Sequence, residues 1–128
     1  MVDAPRSLKP LTWVGSSQRD FRAFPDPVKD DMGYALYLAQ IGRKHESAKP
    51  LKGFGGASVL ELVEDHAGDT YRAVYTVRFA SAVYVLHAFQ KKSRKGRETS
   101  KGDMDLVTRR LRMAEEDARQ KARKETRS

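Results

Sequence analysis

The side chains with the most chemistry to offer are Arg72, Arg78, His87, Lys91 and Lys92, preceded by Lys52 in a glycine-punctuated loop. Their types suit cleavage of an RNA strand by its own ribose 2′-hydroxyl. That reaction needs a base for the hydroxyl proton, cations to stabilise the phosphorane and an acid for the leaving 5′-oxygen; it needs no metal. Arginine meets phosphate through a planar donor fork. Neighbouring lysines disfavour one another's charge, which brings a Lys-Lys pair nearer to acting as a base, and histidine is the usual proton carrier near neutrality. The same residues also fit a purely structural arrangement: a Glu61–Arg72 cross-strand pair, a satisfied histidine and a solvated strand end. Both readings stand at this point.

Other chemistries find no support. The chain has no cysteine, which excludes disulfides, thiolate zinc sites and cysteine nucleophiles. His45, His66 and His87 are scattered, without the i, i+4 pairing of a metal-binding helix. Gly53-Phe54-Gly55-Gly56 lacks the Gly-Lys-Ser/Thr ending of a phosphate loop, and there is no Gly-x-Ser-x-Gly elbow. Asp30-Asp31 and Glu115-Glu116-Asp117 fall on helical patterns and read as solvated faces. No cofactor and no metal are expected.

The 128 residues suffice for one domain, with 39% apolar and 33% charged side chains. Lysine plus arginine number 25 against 17 acids, a formal charge of +8 and a sequence pI near 9.9. The excess is C-terminal: residues 1–90 hold 11 basic and 10 acidic side chains, and residues 91–128 hold 14 and 7. The densest stretch, Lys91-Lys92-Ser93-Arg94-Lys95-Gly96-Arg97, is suited to a polyanion, because phosphates release condensed counterions to lysine and arginine. Taken alone, it equally fits a solvated tail. No apolar run reaches the ~20 residues of a membrane span, so a soluble, cytoplasmic protein is expected.

These residues must be positioned by recognisable elements. Residues 1–9 read as a flexible arm, and Leu11-Thr12-Trp13-Val14 as a short strand. Ser17 and Asp20 suggest a capping box opening a short helix that Pro25 stops. Asp26-Pro27 then opens a longer helix, with Val28, Met32, Ala35, Leu36 and Ala39 on one stripe, Tyr34, Leu38 and Ile41 broadening it, and Gly42 ending it. Residues 43–49 read as a polar linker. Val59–Glu64, Thr70–Phe79 and Ala82–Lys91 read as an antiparallel meander with turns at Asp65–Asp69 and Ala80-Ser81. A last helix runs from Asp103 to about Ala118, and residues 119–128 read as a basic, frayed tail.

Pairing these strands places Glu61 opposite Arg72, Arg72 opposite Phe89, and Val74 opposite His87. Alternation then gives Leu60, Leu62, Tyr71, Ala73, Tyr75, Leu86 and Ala88 to a face packed on helices. Glu61, Arg72, Thr76, Arg78, His87, Phe89 and Lys91 share the other face, a cationic and partly aromatic platform for nucleic acid.

At this level of detail the chain resembles the HigB/RelE superfamily of toxins, in its phage-derived HigB-like branch. The resemblance runs through Phe24-Pro25, a helix with Gly33, Leu36, Gln40 and Gly42, and Ala48-Lys49-Pro50-Leu51-Lys52-Gly53. It continues through Val59-Leu60-Glu61-Leu62, Tyr71-Arg72-Ala73-Val74-Tyr75 and Leu86-His87-Ala88-Phe89-Gln90-Lys91-Lys92-Ser93. A helix with Asp105-Leu106, Arg110-Leu111 and Ala114 follows. About residues 10–118 are covered as one toxin domain, outside which lie the arm and the tail. Thr99-Ser100 departs from the Thr-Pro frequent in relatives.

The resemblance implies an α+β, RelE-like fold: an N-terminal αα-hairpin on one face of a small antiparallel sheet, plus a C-terminal helix. It implies the toxin of a type II toxin–antitoxin pair, a metal-independent mRNA endoribonuclease acting in the ribosome. The partners it implies are a helix-turn-helix antitoxin, mRNA and ribosome, with operator DNA reached only through the antitoxin and no membrane. Arg72 and Lys91-Lys92 carry over as catalytic candidates beside His87, while Lys52, Arg78, Arg94 and Lys95 are expected to hold RNA backbone. Two other readings share these residues: a non-catalytic nucleic-acid-binding module, and a pseudo-toxin that only binds its antitoxin.

Overall fold

The structure, a computed structural model, describes residues 8–91 and 99–127. Its elements run β1 (Leu11–Trp13), α1 (Ser17–Arg22), α2 (Asp26–Gln40), β2 (Lys49–Pro50), β3 (Val59–His66), β4 (Asp69–Thr76), β5 (Val83–Lys91) and α3 (Lys101–Arg127). The strands form one sheet in the order β1-β5-β4-β3-β2. It is antiparallel except at one edge, where β1 pairs parallel with β5. The α1–α2 connection brings the chain back across the sheet and makes that parallel edge possible.

Both faces of the sheet are covered, each for a reason visible in the residue pattern. Val28, Met32, Ala35, Leu36 and Ala39 line one stripe of α2 and are buried on Leu60, Leu62, Tyr71, Ala73 and Tyr75, with Phe21 and Phe24 sealing the end. On the opposite face, Val107, Leu111, Ala114 and Ala118 of α3 close over Val59, Val74, Tyr84 and Leu86. The expected open platform is therefore partly roofed by α3, because the helix carries an apolar stripe that must be buried somewhere.

Several expectations need revision. Tyr34 does not broaden the α2 stripe: it is 55% exposed. The β3–β4 turn is only Ala67-Gly68, with φ of +52° and +90°, a left-handed pair that shortens the connection. Glu61 accordingly stands opposite Val74, and Arg72 opposite Val63. The slip is two residues, so every side chain keeps its face. Arg72 faces Phe89 and Val74 faces His87 as expected, but Tyr75 then faces Val85, leaving Leu86 as a bulge. That extra residue sends Leu86 to the α3 core, away from the α2 face assigned to it.

The C-terminal helix also continues to Arg127, well past the expected fraying point. Good helix formers and the pairs Glu115–Arg119 and Asp117–Lys121, each four residues apart, support it.

Candidate functional site

Two acid–base pairs lie where the start of α3 meets the sheet. Arg72, in the middle of β4, is 4% exposed. Its Nη1 donates to Glu61 Oε2 at 3.2 Å. Strand alternation places both on the same face one step diagonally apart, a distance that a long side chain spans. Thr99, just before α3, donates to the same Glu61 oxygen at 3.5 Å.

One strand over, His87 is 6% exposed and stacks on Phe89, with ring centroids 4.3 Å apart. Its Nε2 lies 2.7 Å from Asp103 Oδ1 on α3. Asp103 is the third residue of that helix. Its backbone N–H donates to Ser100 Oγ at 3.1 Å, and Ser100 Oγ donates back to Asp103 Oδ2 at 2.6 Å. Ser100 thus caps the helix at the Asp103 N–H while its hydroxyl holds the Asp103 carboxylate, which also meets the positive end of the helix dipole. Burial by itself would raise the Asp103 carboxyl, but the bonds from Ser100 and His87 and the charges of His87 and Lys91 hold it below its ordinary value. With Asp103 ionised, His87 Nε2 carries the proton directed at Oδ1. His87 Nδ1 is buried without a hydrogen-bond partner among the described residues. Histidine and aspartate together pin the first turn of α3 onto β5.

Lys91 ends β5 opposite Thr70 and is half-buried. Its charge reaches Asp103. Lys52 is exposed in the loop whose Gly53, at φ +101°, packs against Met104 of α3, so it borders the same region. Arg78 is not brought here. It lies six residues beyond Arg72, roughly 20 Å along the strand direction at ~3.3 Å per residue, and its Nε donates to Ser58 Oγ at 3.2 Å. Lys92, Arg94 and Lys95 lie outside the described residues.

Sequence reasoning missed Asp103 and Ser100, although Ser-x-x-Asp ahead of an apolar stripe is a readable cap. It also missed Arg110, buried at 9% on that stripe between Val107 and Ala114. Its Nη1 donates to the bulge carbonyl of Leu86 at 2.9 Å, and its Nη2 to Ser16 Oγ at 3.0 Å. Gly15, at φ +58°, leaves the room: a Cβ there would stand 2.8 Å from Arg110 Nε. Arg110 thus fixes the angle at which α3 crosses the sheet above Arg72 and His87.

Among the described residues, no group of three or more His, Asp or Glu side chains is placed to hold a metal ion, and no helix is long and apolar enough to cross a membrane.

Comparison with known proteins agrees with this architecture. The family model described as "Phage derived protein Gp49-like" matches residues 19–112. The isolated E. coli RelE toxin is similar in structure, with a TM-score of 0.51 and 19% identity over 79% of this chain and 97% of that one. So is a double arginine-to-alanine mutant of E. coli toxin RelE in the free state, at 0.53 and 14% over 83% and 97%. A weaker likeness, 0.40 at 17% identity over 71% and 100%, is to the toxin–antitoxin complex RelBE2 from Mycobacterium tuberculosis. No curated protein gives a significant sequence match. The fold is RelE-like.

Proposed function

The chain belongs to the phage-derived Gp49-like family, and from that premise we propose that it is the toxin of a toxin–antitoxin pair that cuts messenger RNA in the ribosome. The observation that carries this reading is the Arg72–Glu61 pair at 3.2 Å on a RelE-like sheet, with Lys91 on the neighbouring strand. The guanidinium fork binds the scissile phosphate and stabilises the charge that grows on its oxygens as the 2′-oxygen attacks. Lys91 or Lys92 acts as base or acid, donating to the leaving 5′-oxygen in the latter role. His87, with one nitrogen on Asp103 and the other buried, contributes by orienting α3 over the site. Lys52, Arg94 and Lys95 hold RNA backbone, and Arg78 meets it at the far end of the sheet. None of these steps calls for a metal. The partner proteins are a helix-turn-helix antitoxin and the ribosome, and the setting is cytoplasmic.

The test is induced expression of the wild type against Arg72→Lys and Lys92→Ala, with primer extension on translated mRNA with and without ribosomes. Loss of one stabilising donor is expected to slow cleavage by about 10²–10³-fold. Arg72→Lys keeps a cation beside Glu61, so it separates lost chemistry from lost folding. Growth arrest and cleavage undiminished in both variants would remove these residues from the mechanism. The burial of Arg72 favours a second reading, a binding module or pseudo-toxin in which the pair only braces the sheet. That reading expects salt-sensitive RNA binding or antitoxin binding without strand scission.

A further inference from the structure

On the opposite side of the molecule from Arg72, the outer face of α2 carries features that the proposed activity does not use. Asp30 and Asp31 are exposed, and Tyr34 and Tyr37 follow at 55% and 40% exposure, one and two turns along the same helix. Glu64 of β3 reaches Asp31, and burial, then the bond and the charge of Asp31, push its carboxyl up to about 7. Asp30, Asp31 and Glu64 have no ion-pair partner among the described residues. Crowded carboxylates flanked by the exposed Tyr37 ring and by Tyr34, whose ring meets His45 edge-on at 5.9 Å, make a surface that gains from a cation twice, by charge and by contact with the rings.

The complementary surface is on the same chain. Beyond Ala118, the last residue of its apolar stripe, α3 continues to Arg127 with Arg119, Lys121, Arg123, Lys124 and Arg127 against Glu125. Gln120 and residues 122–126 are exposed, and Arg123 and Lys124 form no salt bridge among the described residues of the kind that ties Arg119 to Glu115 and Lys121 to Asp117. The spacing matches as well: Arg119 and Arg123 are one turn apart, as are Asp30 and Tyr34. The two surfaces lie on elements packed against opposite faces of the sheet, so a chain cannot bring its own together.

We propose that the acidic, tyrosine-bearing face of α2 receives the basic C-terminal turns of α3 from a second copy of the chain. This contact stands apart from any catalytic activity. The full chain is expected to sediment as more than one copy in about 0.1 M salt and as a single copy in about 1 M salt, where the Debye length falls to ~3 Å. Asp30→Lys with Asp31→Lys, and separately Arg123→Glu with Lys124→Glu, are expected to weaken association at least ~10-fold, since like charges then face each other. Equal amounts of the two swapped proteins are expected to associate with each other again. Circular dichroism checks that both swaps stay folded; all four positions are exposed, so they should. A wild type that stays single up to ~0.2 mM in low salt, where a contact of even modest affinity would be populated, overturns the proposal. So does association that neither swap alters, or a failure of the swapped pair to recover.

Discussion

At the scale of single residues, two carboxyl groups behave in opposite senses, and each has a pH signature. Glu64 is raised to about 7 by burial and by Asp31. A raised group favours the folded state fully below its unfolded value, and that contribution disappears as pH climbs through the folded one. Glu64→Gln is therefore expected to leave stability, and with it the melting temperature, unchanged near pH 4 and to increase it at pH 8, by no more than about 1 kcal/mol for a pair so open to solvent screening. Equal melting shifts at both pH values would refute this. Arg72 was legible from the sequence as the central cation because strand alternation put it on the polar face. Its partner Glu61 was legible only as a cross-strand neighbour. The turn that fixes their register has just two residues, and Ala67 gives little warning of a left-handed φ.

Among elements, α3 is held by polar bonds as much as by its apolar stripe. Asp103 is held below its ordinary value despite burial, so the support it gives is present above the usual carboxylate range and is lost as pH falls below it. Amide protection factors in the first turn of α3, relative to intrinsic exchange at each pH, are expected to fall below about pH 4, and Asp103→Asn is expected to show that lower protection already at pH 7. Arg110→Ala removes two bonds from a buried charged donor and is expected to cost about 2–4 kcal/mol in denaturant unfolding. Gly15→Ala is expected to destabilise too, because it strains a positive φ and crowds the same guanidinium. A loss below about 0.5 kcal/mol for Arg110→Ala would mean that α3 is seated by its stripe alone. The stripe itself was readable, as was that of α2, because 3.6-residue periodicity survives in the sequence. Which face of the sheet α3 would cover was not readable, since that depends on the unseen cap and on an arginine within the stripe.

For the molecule as a whole, the core ends near Ala118. Removing residues 119–128 is expected to move the melting temperature by only a few degrees, the scale of about 1 kcal/mol in a domain of this size. A collapse of the fold would show that the tail braces the Tyr84 region, where Lys121 lies 5.3 Å from the ring centroid. The mixed α+β plan was legible from element order alone. The parallel β1–β5 edge and the three-layer arrangement were not, because they arise from how the elements return across one another. The bulge at Leu86 has a consequence at this scale. Val83 and Val85 face α2, while His87 and Phe89 lie on the α3 side, so one added residue changes the parity of β5 halfway along. The lower half of the strand serves two cores, and the upper half serves a polar site. Deleting Leu86 would return Val85 and His87 to consecutive rungs, leaving the row His87, Phe89 and Lys91 in place but taking away the carbonyl that anchors Arg110. The row and the helix above it are thus encoded separately, and a lineage can re-aim the roof without disturbing the side chains beneath it.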